Sequence, residues 1–135
     1  MAWRVLIVDD SVTTRRVVRR ALELARLPIG EIIDAPNGEE ALALLRARPF
    51  DLVMTDIHMP KLTGVELITC MRADPRLRSL PVIVLTSEGG LGRVRTLNQL
   101  NVQGYIRKPF PPERVRDMFL DVMGDGEHET EQGIA

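Results

Sequence analysis

Two aspartates, Asp9 and Asp10, directly follow the apolar run VLIV of residues 5–8. A third, Asp56, lies just past the apolar run LVM. A threonine, Thr86, ends the run VIVLT, and a lysine, Lys108, ends GYIRK. Alone, an adjacent aspartate pair is either a solvated loop with a helix cap or one side of a cation site. Three carboxylates gathered in one place repel each other, and burial forces a proton onto at least one of them. A hard divalent cation removes that conflict. Mg2+ suits an incomplete cage of one or two carboxylates completed by water and phosphate oxygens. The ammonium and the hydroxyl suit the oxygens of a phosphoryl group, lysine as a point charge and threonine as a neutral donor. A carboxylate can itself be the nucleophile and form an aspartyl phosphate. Together these residue types describe a site that places a phosphoryl group on an aspartate.

Such a site needs a frame that brings the five groups together. Apolar runs at residues 3–8, 31–35, 51–55, 81–86 and 104–108 predict five strands, and the stretches between them carry helical spacing. In the first helix Val18, Ala21, Leu22 and Ala25 share a face, with Ser11 as N-cap; further helices are expected over 38–47, 64–73, 92–100 and 111–123. Strict alternation predicts a doubly wound α/β fold, a five-stranded parallel sheet covered by helices on both faces. VLIV, LVM and VIVL read as central strands, EIIDA and GYIRK as edges. In an open parallel sheet ligands bind beyond the carboxyl ends of the strands, which is where Asp9, Asp10, Asp56, Thr86 and Lys108 fall. Strand 2 ends in Ala35-Pro36, without side-chain chemistry, as an edge remote from the site would.

The 135 residues, 44% of them hydrophobic, suffice for one domain. Eighteen basic against nineteen acidic side chains give no bulk attraction to nucleic acid or membrane, so a partner is recognised locally. The lone cysteine, Cys70, the lack of a signal-like start and the absence of an apolar run near the ~20 residues of a membrane helix together predict a cytoplasmic protein. Residues 124–135, acidic and aperiodic, are expected to be a disordered tail.

The segments VDDS, DLVMTDIHMPKLTG, VLTS and GYIRKPF, in this order, closely resemble the receiver domain of bacterial two-component response regulators over about residues 3–123. The resemblance implies a flavodoxin-like strand order 2-1-3-4-5 and a receiver domain over residues 1–123. It makes Asp56 the phosphoacceptor, served by a histidine kinase, a phosphotransfer protein or a small phosphodonor. Asp10, Asp56 and the backbone carbonyl of His58 then hold Mg2+ directly, Asp9 mainly through water, and Thr86 and Lys108 hold the phosphoryl oxygens. Tyr105 becomes a switch whose ring turns inward as Thr86 moves; the plain alternative is an amphipathic ring shielding an edge strand. Lys108-Pro109 is expected to be cis. The output surface is expected on helix 4, strand 5 and helix 5, near Tyr105, Arg95 and Arg107, with a downstream protein as partner.

His58 among hard oxygen ligands is no zinc site; its ring is expected to be exposed and, with Glu88, to tune phosphate lifetime. Gly64 and Gly38 fit helix-start turns or are ordinary turn glycines. Arg15, Arg16, Arg19 and Arg20 read as a solvated face rather than a docking patch. Ser87 stands where the family usually has a smaller residue, the helix 4 start is rich in glycine, and Leu100-Asn101-Val102 replaces a run of small residues. The expected protein is a stand-alone, non-enzymatic regulator resembling those of chemotaxis, motility or phosphorelays. The alternatives are a regulatory fragment of a longer DNA-binding or enzymatic regulator, and a Mg2+-dependent phosphohydrolase. The last is disfavoured because His58 stands where a second carboxylate would serve as acid-base.

Overall fold

The computed structural model describes residues 2–87 and 91–124, the side chains of 91–94 excepted. Strands and helices alternate as β1 Trp3–Val8, α1 Val12–Leu24, β2 Ile29–Ala35, α2 Gly38–Ala47, β3 Leu52–Asp56, α3 Gly64–Ala73, β4 Val82–Thr86, α4 Leu91–Gln99, β5 Gly104–Arg107 and α5 Pro112–Met123. Every pairing is parallel and the order is β2-β1-β3-β4-β5, as the resemblance implied. The expected tail from Gly124 on, the Glu88 candidate and the glycine-rich entry to α4 fall wholly or mostly outside the described residues.

The continuous apolar runs are explained by burial on both faces. Alternate residues of the central strands enter two clusters: Leu6, Val8, Val53, Val82 and Val84 on the side of α2, α3 and α4, and Val5, Ile7, Met54, Ile83 and Leu85 on the side of α1 and α5. Helices α2 and α3 have 10 residues each, short of the roughly 12–15 at which an isolated helix is even marginal. Their apolar faces against the sheet hold them, each fully buried Leu or Ile contributing about 1.5–3 kcal/mol.

Strand β2 begins at Ile29, two residues before the predicted start. Pro28-Ile29-Gly30 looks like a turn, but Ile29 pairs with Trp3 across an irregularity in the register. Ala25 is the C-cap of α1 rather than part of its buried stripe. Among the described residues no helix is long and apolar enough to cross a membrane.

Helix N-termini fix the loops that carry the site. The Ser11 hydroxyl accepts the Thr14 N–H at 3.2 Å, the Asn37 side chain accepts the Glu40 N–H at 2.9 Å, and Thr63 and Glu66 form a capping box. Gly64 and Gly38 are more than turn residues. A Cβ on Gly64 would lie 2.1 Å from the Asp56 carbonyl oxygen, and one on Gly38 would lie 2.4 Å from that of Leu62. Only glycine lets α2 and α3 start this close to the loop that follows β3.

Candidate phosphoacceptor site

Strand β1 ends by delivering Asp9 into the interior, where it is 0% exposed. Its main-chain N–H donates to the Ala35 carbonyl at 3.1 Å. Its Oδ1 accepts the Ser11 N–H at 2.9 Å, and its Oδ2 accepts the Lys108 ammonium at 2.8 Å. Asp10, one residue on, is exposed. Asp56, the last residue of β3, is nearly buried; its Oδ1 accepts the Ile57 N–H at 2.7 Å, while its Oδ2 lies 3.4 Å from Lys108 Nζ. Thr55 donates its hydroxyl to the Asp56 carbonyl at 2.9 Å. Thr86 ends β4, buried, and its carbonyl accepts the Lys108 N–H at 2.8 Å. The five expected side chains thus meet at the carboxyl edge of β1, β3, β4 and β5.

Burial pushes the Asp9 carboxyl above its ordinary pKa, helped by the nearby Asp56 charge and opposed by Lys108 and the Ser11 N–H. Burial also acts to lower the Lys108 pKa, but the hydrogen bonds and charges of Asp9 and Asp56 outweigh it and hold the ammonium above its usual value. One ammonium against three carboxylates leaves the cluster anionic. Carboxylate oxygens of Asp9, Asp10 and Asp56 lie within 4.8 Å of one another. An all-oxygen donor set with excess negative charge fits a hard divalent cation. His58 is exposed and its imidazole is outside this cluster.

The helix 1 arginines require a correction. Arg16 and Arg20 are exposed, but Arg15 and Arg19 turn to the edge strand and pair with Asp34 at 3.0 and 3.3 Å. Arg15 also donates to the Asp9 carbonyl at 2.7 Å. Strand β2 therefore reaches the site at one remove. Its Ala35-Pro36 end supplies no functional side chain, but Asp34 braces a residue that does touch the acidic loop. A charge on β2 paired with α1 has no signature in spacing, because it depends on how the helix is rotated over the sheet.

Tyr105 is half-buried, packs against the cluster under α4 and donates its hydroxyl to the Asn98 side chain. Opposite Val84 in the register, it shares a sheet face with Thr86. Arg95 and Arg107 are exposed. Ser87 is exposed too and lines a cavity of about 520 Å³ with Thr13, Val17, Lys108, Pro109 and Phe110. Lys108-Pro109 is cis. The unusual Leu100-Asn101-Val102 run is accounted for by Asn101 in the left-handed region at φ 56 and by Arg72, which holds the carbonyls of Leu100 and Asn101 at 2.8 and 3.2 Å.

A parallel sheet of this order, with acidic, hydroxyl and ammonium groups gathered at its carboxyl edge, defines a receiver domain. Residues 5–120 match the family model for the response regulator receiver domain, and the chain belongs to that family. It is 36% identical over 127 residues to a chemotaxis protein CheY homolog of Campylobacter jejuni, covering 93% of this chain and 96% of the relative. Among solved structures, chemotaxis protein CheY4 of Vibrio cholerae is 30% identical with TM-score 0.82, over 90% of this chain and 99% of that one. The Mn(2+)-bound form of response regulator Rcp1 is 25% identical with TM-score 0.79, over 87% and 92%. The protein is a receiver of CheY-like response regulators; neither a longer regulator nor a phosphohydrolase is favoured by these relatives.

Proposed function

We propose that this receiver, residues 1–123, takes a phosphoryl group on Asp56 and thereby changes its affinity for a partner protein. The observation that carries the proposal is the Lys108 ammonium standing 2.8 Å from Asp9 and 3.4 Å from Asp56 at one sheet edge. An Asp56 oxygen attacks phosphorus in line, the bond to the donor's leaving group breaks, and the Lys108 ammonium and Thr86 hydroxyl hold the phosphoryl oxygens. Asp10, Asp56 and the His58 carbonyl would hold Mg2+, with Asp9 acting through water because both its oxygens already accept internal donors. When bound, the ion supplies neutralisation of charge between acceptor and phosphoryl group. The same side chains later hold the phosphoryl group while water attacks it, so turnover is confined to the protein's own phosphate.

The donor is a histidine kinase or phosphotransfer protein, and the apolar cavity between α1 and Pro109-Phe110 beside Lys108 supports its approach from that side. The output is to a protein that reads α4, β5 and α5 through Tyr105, Arg95 and Arg107. Phosphorylation adds roughly −1.5 to −2 charge at Asp56, draws the Thr86 hydroxyl towards it and shifts Tyr105 between two existing packings. The setting is the cytoplasm. Incubation with Mg2+ and acetyl phosphate, followed by mass mapping after borohydride trapping, should locate the acyl phosphate on Asp56. Equal labelling of Asp56→Asn would overturn the assignment.

A further inference from the structure

We propose that Arg15, braced by Asp34, is a positioning residue for the metal half of the site. The proposal rests on the phosphoacceptor reading given above. The peptide joining Asp9 to Asp10 carries the Asp9 carbonyl on one side and the Asp10 N–H on the other. Arg15 Nη1 holds that carbonyl at 2.7 Å, while its Nε is tied to Asp34 Oδ2 at 3.0 Å. Its side chain is only 15% exposed, so the guanidinium is held against the loop rather than waving in solvent.

Asp9 needs no help from Arg15. Lys108 and the Ser11 N–H already fix its carboxylate, and the Ala35 carbonyl fixes its main-chain nitrogen. Asp10, in contrast, is exposed, and among the described residues no hydrogen bond ties its side chain to the frame. Its Cα follows the peptide that Arg15 grips. The direction in which the Asp10 carboxylate leaves the loop is therefore set from the β2 side of the sheet. Asp34 does two things here. It orients the planar fork so that a second N–H reaches the carbonyl, and it cancels much of a positive charge that would otherwise repel a cation nearby. Arg19, 3.3 Å from the other Asp34 oxygen, keeps that carboxylate facing α1.

The sign of one measurement decides the matter. By Coulomb's law alone, removing a cation beside an acidic cluster tightens metal binding. If Arg15 positions the loop, removal weakens it. Titration calorimetry of the full chain with MnCl2 and MgCl2 should show Arg15→Met binding about tenfold more weakly, in line with the loss of an outer-shell partner. Arg15→Lys, which can reach the carbonyl but cannot fork, should recover part of the loss, and Asp34→Asn should give a smaller loss of the same sign. With acetyl phosphate, Arg15→Met should need more Mg2+ for half-maximal rate but reach a maximal rate close to wild type. In the metal-free protein, the Asp10 amide should exchange faster in Arg15→Met, while thermal midpoints report folding separately. Unchanged or tighter metal binding in Arg15→Met and Asp34→Asn, with the wild type binding normally, overturns the proposal. If the wild type binds no metal, or Asp56→Asn is phosphorylated, the underlying reading falls and the proposal with it.

Discussion

The Asp9 carboxylate and the Lys108 ammonium stand 2.8 Å apart though 99 positions separate them in the chain, and they tie β1 to β5 across the whole central sheet. Asp9 is fully buried, so removing Lys108 leaves a carboxylate that must either stay charged with only the Ser11 N–H to compensate it or take a proton. Lys108→Met should lower stability by about 3 kcal/mol at neutral pH, near the low end for a broken buried pair because the ammonium is partly exposed. The pH dependence has a definite sign. An acid whose folded pKa lies above its unfolded value favours the fold at low pH, and that advantage is lost as pH rises through the folded pKa. Without Lys108 the Asp9 pKa rises further. In metal-free buffer the deficit of Lys108→Met in urea midpoint should therefore be large at pH 8 and shrink as pH falls towards 5; an equal deficit at both values would sink the idea.

Asp9 and Asp10 are neighbours in sequence but not equals in the site. Both oxygens of Asp9 accept internal donors, whereas Asp10 is exposed. Asp10→Asn should therefore weaken Mg2+ binding severalfold more than Asp9→Asn, and calorimetry on the two variants would reveal a reversed order.

A methyl group at position 64 has nowhere to go, since the Asp56 carbonyl oxygen is 2.1 Å from where it would sit. Gly64→Ala should destabilise the fold by about 3 kcal/mol through overpacking against rigid backbone, and should slow phosphorylation by displacing Asp56, the proposed acceptor. Normal stability with a normal acetyl phosphate rate would contradict both.

These cases divide what can be read from residues from what cannot. VLIV, LVM and VIVL announce strands buried on both faces, and the carboxyl-end rule then gathers Asp9, Asp10, Asp56, Thr86 and Lys108 without any structure. The necessity of glycine at position 64 is invisible until α3 is seen to start against β3. Arg15 and Asp34 are 19 residues apart on a helix and an edge strand, and their pairing depends on a helix rotation that apolar spacing sets only coarsely. Leu100-Asn101-Val102 looks anomalous in sequence because the guanidinium that holds it belongs to α3.

Tyr105 and Asn98 offer a way to move the proposed switch without touching Asp56. Their hydrogen bond holds the ring in its packing under α4, and a hydrogen bond of this kind contributes about 1 kcal/mol. Asn98→Ala should shift the balance towards the other packing about fivefold, since about 1.4 kcal/mol corresponds to tenfold. Because coupling between sites is reciprocal, the variant should bind beryllofluoride more tightly by a similar factor. Fluorine NMR titration would measure it, and an unchanged affinity would separate Asn98 from the switch.

Arg72 carries a structural burden out of proportion to its place on a helix surface. Its guanidinium donates to the carbonyls of Leu100 at 2.8 Å, Leu80 at 2.8 Å, Arg78 at 3.0 Å and Asn101 at 3.2 Å. It thereby joins the end of α3, the approach to β4 and the turn between α4 and β5. Burial lowers its pKa without threatening its charge. A planar fork with five N–H groups can serve four carbonyls from two segments at once, and an ammonium with three cannot. Arg72→Met should cost about 2–3 kcal/mol, the order expected when partly buried carbonyls lose charged donors, and Arg72→Lys should recover less than half of it. Full recovery by lysine in thermal melts would show that charge, and not the geometry of the fork, is what position 72 supplies.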